Sequence, residues 1–188
     1  MLVGIIFASL VAQSLSRRFD KKKALAICVI TGGVFAFSPQ ILYFGGLLPL
    51  MSTTSKFLLI FVVNGVSQVF FIAYIILLDS MLSDSIDEHE LDSGKREEGL
   101  FFAARSFATK ASYGLGSFFA GVGLDIIRFP RSATPDTVSQ EAVLSLAVFS
   151  GPVMLILFVA TVLVSNRYPM TGQRHQQIMA GIAAGKSG

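Results

Sequence analysis

Lys110 stands inside an apolar run from Gly99 to Ile127, with Ser106 one helical turn before it. An offset of four puts both side chains on one helical face. If this run crosses a membrane, Lys110 lies eleven residues past Gly99. That is about 16 Å into the bilayer, near the midplane of a ~30 Å hydrocarbon core. An ammonium at that depth costs at least ~2.5 kcal/mol on the mildest insertion scale. It needs a carboxylate partner, a water-filled cavity, or both. The alternative is snorkelling to the interface, which suits Arg105, about half as deep, better than Lys110. Ser106 could bond a substrate hydroxyl or only its own helix backbone. Beyond Lys110 the residues become small, with Gly116/Ala120 and Ser117/Gly121 at small-xxx-small spacing. Tight helix packing explains that pattern, and such faces also allow sliding between helices.

A second constellation precedes this run. Ser83–Gly99 reads SDSIDEHELDSGKREEG, a dense charged loop between apolar stretches. Asp84 and Asp87 form a D-x-x-D, which in membrane prenyl- or phosphotransferases holds Mg²⁺ for a pyrophosphate. The second aspartate motif and basic cluster of those enzymes do not occur in this sequence. An ionic lock fits better: Asp84, Asp87, Glu90, Arg96 and Glu98 would pair with a neighbouring bundle when one side of the protein closes. Exposed ion pairs are worth only ~0–1 kcal/mol each, so such a lock can open. A third set, Asn64, Ser67, Gln68 and Tyr74, lies in the apolar run before the loop. Offsets of three and four place the first three on one helical face. A polar stripe there serves interhelical hydrogen bonds, or Asn64, Gln68 and Tyr74 line a polar cavity.

The composition says what must hold these residues. Of 188 residues, 53% are hydrophobic and only 14% charged, with a mean hydropathy of +0.67. Soluble domains carry about 25% charge, so the chain has the composition of a multi-span membrane protein. The apolar runs predict five spans, at about 1–16, 24–45, 57–82, 99–127 and 142–165, with a polar tail over 166–188. The first is shorter than the ~20 residues of a full span, and its charges follow rather than precede it, unlike a signal peptide. We therefore expect a span whose beginning is missing. Lys and Arg number ten on one side, among them Arg17, Arg18, Lys21, Lys22, Lys23, Lys95 and Arg96. Lys56, Arg128 and Arg131 give three on the other. This bias places the charged loop and the C-terminal tail in the cytoplasm. The cations flank apolar spans and so do not indicate nucleic acid, and the single Cys28 excludes a disulfide framework or a cysteine metal site.

The charged loop and the lysine together resemble a known family. Asp84-Ser-Ile-Asp87-Glu-His-Glu90, then Gly94-Lys-Arg96-Glu-Glu98-Gly99, then an apolar helix with a central Lys110, is similar to the second half of the glycoside–pentoside–hexuronide:cation symporters. These are the melibiose-permease-like branch of the major facilitator superfamily. The basic turn Ser16–Lys23 (SRRFDKKK) is similar to the family's turn between the eighth and ninth spans, although Arg17 and Asp20 depart from the superfamily form. Tyr168-Pro-Met-Thr171 is similar to the segment after the last span.

The resemblance implies an all-α membrane protein of the major-facilitator type, a partial bundle with about five helices of the C-terminal six. It implies no enzyme activity, no cofactor and no bound metal, and a plasma (inner) membrane location. The partners would be a sugar or glycoside, a coupling Na⁺ or H⁺, the bilayer, and a missing N-terminal six-helix bundle that supplies the carboxylates for the cation and most sugar contacts. In this family the lysine matching Lys110, with Ser106 beside it, couples the cation site to the sugar site, and Asp84, Asp87, Glu90, Arg96 and Glu98 belong to the cytoplasmic gate. Two other readings compete: a natural half-length transporter or scaffold protein, and a Mg²⁺-dependent membrane prenyl- or phosphotransferase.

Overall fold

The computed structural model describes residues 2–48, 50–130, 134 and 138–165. The polar tail at 166–188, with its Tyr168–Thr171 segment, lies outside the described residues, as does Arg131. Five helices follow one another: α1 (Leu2–Arg18), α2 (Lys21–Phe44), α3 (Thr53–Ser93), α4 (Glu98–Ile126) and α5 (Gln140–Ser165). By length and composition α2, α3 and α5 can each cross a membrane. The helix α1 has 17 residues, and α4 carries both Arg105 and Lys110 along its length.

The stretch Ser83–Gly99 is not a loop. α3 runs straight through it to Ser93, for 41 residues in all. At 1.5 Å per residue that is about 62 Å, roughly twice the hydrocarbon core, so a long charged end stands clear of the apolar segment. The reason is local. Neither Gly nor Pro occurs between Gly65 and Gly94, and the serines fold back onto their own helix. Ser83 donates to the Asp79 carbonyl, Ser85 to Met81 and Ser93 to His89. The helix stops where Gly94 takes a left-handed φ of 71° and its N–H caps the Glu90 carbonyl. That conformation suits glycine because it has no Cβ. At the other end, Ser52 accepts from the Ser55 N–H, the usual N-cap arrangement.

α1, α2, α3 and the last turns of α5 from Phe158 form one packed unit. Its core is Ala8 and Ala12 of α1, Ala24, Leu25 and Cys28 of α2, and Ala73, Leu77 and Met81 of α3. Small residues at these crossings let the backbones approach. At Gly32 the α2 backbone comes so near α3 that a Cβ there would stand 3.2 Å from Phe70 Cβ and 3.7 Å from the Ser67 carbonyl oxygen. Ser67 uses the approach to donate to the Gly32 carbonyl at 3.0 Å. The Phe158 ring packs edge-on against Phe37 with centroids 6.1 Å apart. α4 and residues 140–157 of α5 form a second unit, in which the Phe149 ring lies over Gly123 and would have to turn aside for a Cβ there.

This crossing yields a test of the packing. Gly32→Val should push α2 from α3 and break the Ser67 hydrogen bond, at about 1–3 kcal/mol for overpacking. Ser67→Ala should cost only about 0.6 kcal/mol. Thermal unfolding of the purified protein in detergent checks both, and an unchanged midpoint for Gly32→Val would refute the close crossing.

Candidate functional site

The charged end of α3 grows out of the same face as its core. Ala73, Leu77, Met81 and Asp84 follow at offsets of four, four and three, and all four are buried. One helical stripe therefore passes from apolar residues into a carboxylate. The Asp84 side chain is only 6% exposed. Lys21, the first residue of α2, donates to its Oδ1 at 2.7 Å and to its Oδ2 at 2.8 Å. Charge-assisted contacts of this length are the strong kind. They place the basic turn and the charged end of α3 at the same end of the unit.

The next turns hold a second arrangement. Asp87 and Glu90, three residues apart, share a helical face, and Arg96 Nη1 donates to Asp87 Oδ1 at 3.0 Å and to Glu90 Oε2 at 2.8 Å. Arg96 reaches them because Gly94 turns the chain back at the end of α3. Its side chain is 47% exposed, so this clamp meets solvent, whereas the Lys21–Asp84 pair is largely shielded. His89 Nε2 lies 3.1 Å from Glu97 Oε2 beside it. Glu98 sits in the first turn of α4, where the helix dipole favours a carboxylate. Each aspartate of the D-x-x-D thus faces a cation of the chain.

Lys110 and Ser106 share an exposed face of α4. Lys110 is twelve residues past Glu98, about 18 Å along the axis. Thr109 donates to the Arg105 carbonyl and Ser112 to the Ala108 carbonyl, so those hydroxyls serve the helix. Among the described residues neither the Ser106 nor the Lys110 side chain makes a hydrogen bond or ion pair.

The polar stripe of α3 divides. Ser67 faces α2, as described above. Asn64 is exposed and donates to the Ile60 carbonyl of its own helix, and Gln68 is exposed. Tyr74 is half-buried, packed against the core and stacked on Phe71. The α2 crossing takes up Ser67, in the interhelical hydrogen bond expected of the stripe, and leaves Asn64 and Gln68 exposed. Sequence reasoning missed Lys21, His89 and Glu97. The stripe at 73, 77, 81 and 84 was the signal that Asp84 turns inward, but nothing local names a partner 63 residues away.

Long apolar helices with charged ends, packed through small residues, define a multi-pass membrane protein of all-α type. Residues 1–172 match the MFS/sugar transport protein family, and the chain belongs to that family: it is a partial major-facilitator helical bundle. An uncharacterized symporter of Bacillus subtilis, YjmB, is 29% identical over 100 residues, covering 53% of this chain and 21% of the relative. An uncharacterized symporter of Synechocystis sp. is 29% identical over 131 residues, or 68% of this chain and 23% of the relative. A lactose permease of Lactobacillus delbrueckii subsp. bulgaricus is 24% identical over 185 residues, or 94% of this chain and 26% of the relative. The chain spans about a quarter of the length of these relatives. No solved structure gives a significant match. The family and these relatives are transporters, not enzymes, which removes the prenyl- or phosphotransferase reading.

Proposed function

We propose that this chain is the C-terminal part of a twelve-span secondary transporter, moving a sugar or glycoside together with Na⁺ or H⁺ by alternating access. The observation that carries the reading is Lys110. It is a cation deep on an apolar helix, on an exposed face shared with Ser106, in a chain of a sugar-transport family. A charge in that position needs a counter-charge or water, and an N-terminal bundle would supply the carboxylate. A cation bound at that carboxylate and the ammonium would then depend on each other. Ser106, whose hydroxyl is not taken by the helix, would meet the sugar, and Asn64, Gln68 and Tyr74 would contribute to the cavity from α3.

The charged end of α3 acts as the cytoplasmic gate in this reading. Arg96, Asp87, Glu90 and Glu98 would exchange their partners with those of the other bundle as the side opens and closes, while the Lys21–Asp84 pair holds its own bundle together. The protein would lie in the inner membrane with its C-terminus in the cytoplasm.

The test is uptake of radiolabelled galactosides, glucosides and pentosides by the full transporter reconstituted in vesicles, driven by an imposed Na⁺ or H⁺ gradient. One gradient should drive accumulation, and a cysteine at Ser93 should react with an impermeant reagent only from the cytoplasmic face. Sugar flux that ignores both gradients would refute symport, and labelling of Ser93 from the outer face would refute the orientation.

A further inference from the structure

The chain after α3 is folded back on the helix end by two ties of different chemistry. Beyond the left-handed turn at Gly94, Arg96 returns to Asp87 and Glu90. The next residue, Glu97, returns to His89, with its Oε2 3.1 Å from the imidazole Nε2. Ser93 builds the bend between them. Its hydroxyl donates to the His89 carbonyl at 2.7 Å and accepts from the Lys95 N–H at 3.2 Å. The Gly94 N–H is taken by the Glu90 carbonyl. All these groups lie between Asp87 and Glu97, inside one packed unit. The bend is therefore made by neighbours in sequence, not by an open face.

The two ties answer differently to pH. Guanidinium and carboxylate groups ordinarily keep their charges around neutrality, whereas an imidazole changes its charge near pH ~6.5. The sign follows. Below that range the ring is a cation and its contact with a carboxylate is charge-assisted. Above it the ring is at most a neutral donor, in a bond about half as strong. The His89 side chain is 35% and the Glu97 side chain 45% exposed, so the added charge should change the opening of the bend by about two- to fivefold at most.

The charged groups around His89 favour the cation. Glu88 and Glu90 adjoin it on α3, and Asp92 is one turn on; the bend brings Glu97 together with Lys95 and Arg96. Of the elements packed with α3, α2 opens on Lys21, Lys22 and Lys23, the first held by Asp84. α1 closes on Arg17 and Arg18, and α5 from Phe158 to Ser165 carries no charge.

We propose that His89 is a pH-dependent latch on the bend that carries Arg96. As the imidazolium it holds Glu97 and closes the bend over Asp87 and Glu90; as the neutral ring it lets the segment Lys95–Glu97 open more readily. The latch does not depend on the transport reading. If that reading holds, acidification makes the release of Arg96 from its two acids rarer, because a second tie must break with it.

The experiment is hydrogen–deuterium exchange, read by mass spectrometry on the purified protein in nanodiscs. It follows the peptide that holds the Gly94 and Lys95 amides, at about pH 5.5 and about pH 8, either side of the ordinary imidazole range. Corrected for the intrinsic rate, protection in wild type should fall about two- to fivefold from the lower pH to the higher. His89→Gln should show the lower protection at both values, and Glu97→Gln should lose the step as well. His89→Lys, a cation at both values, should stay protected at both, which a merely structural role for the ring would not give. Arg96→Gln should lower protection overall and keep the step. No step in wild type would overturn the latch. So would a step that survives His89→Gln, since another group, such as His175, would then carry it.

Discussion

Lys110→Gln abolishes cation-driven sugar uptake and leaves membrane insertion intact: this is the expected result if Lys110 links the two ligands. A lysine about 18 Å along α4 from Glu98 costs at least ~2.5 kcal/mol in hydrocarbon on the mildest scale. Glutamine removes that cost, so the variant should insert at least as well as wild type. What it loses is the competition between an ammonium and a coupling cation for one carboxylate. Binding of either ligand must then change the affinity for the other by the same factor, as linkage requires. The measurement is the sugar dissociation constant with and without the cation, in wild type and variant. Wild type should show a ratio of about 5–150, the span of ordinary coupling energies, and Lys110→Gln a ratio near one. Thr109→Ala is the control, because that hydroxyl only bonds the Arg105 carbonyl. If Lys110→Gln preserves both the affinity and its cation dependence, Lys110 is a structural lysine and the coupling role is wrong.

Much of this protein is legible residue by residue, and the limits are physical. Apolar runs fix where helices must lie, since backbone in lipid has to bond to itself. Their ends are less visible. α3 outruns its apolar segment by eleven residues, Ser83 to Ser93, because a charged helix is as well hydrogen-bonded as an apolar one, and Gly94 rather than charge ends it. Lys110 announces itself through the cost of its position. The partners of Asp84 and Asp87 do not. An aspartate reads the same on paper whether it binds a metal, a distant bundle or a nearby lysine. Only the α2–α3 crossing, set by Gly32 and the alanines around it, brings Lys21 to Asp84. The same crossing divides the polar stripe of α3, turning Ser67 to the Gly32 carbonyl and leaving Asn64 and Gln68 exposed.

The pair that this crossing makes has an asymmetric energetics that can be measured. Lys21 is about a third exposed and Asp84 is 6% exposed. In Lys21→Gln, a buried carboxylate loses two contacts, of 2.7 and 2.8 Å, and has little access to water. Breaking a fully buried pair costs about 3–5 kcal/mol. The partial exposure of Lys21 puts this one nearer the 1.5–3 kcal/mol of a hydrogen bond to a charged group. In Asp84→Asn the lysine left behind reaches solvent, so the loss should be nearer about 1 kcal/mol. The double variant Lys21→Gln/Asp84→Asn removes both charges and leaves two amides that can bond each other. It should be more stable than Lys21→Gln alone. Thermal unfolding of the four proteins in one detergent closes the cycle, and a coupling energy above about 1 kcal/mol is expected for groups in contact. Additive losses would mean that Lys21 and Asp84 do not act on each other. The same cycle bears on the proposed gate. A bundle that rocks as a rigid body needs internal pins stronger than the exposed contacts it breaks, which are worth ~0–1 kcal/mol. Arg96→Gln, whose clamp on Asp87 and Glu90 meets solvent, should therefore shift the unfolding midpoint far less than Lys21→Gln. If Arg96→Gln is the more destabilising of the two, the pin and the gate have been assigned the wrong way round.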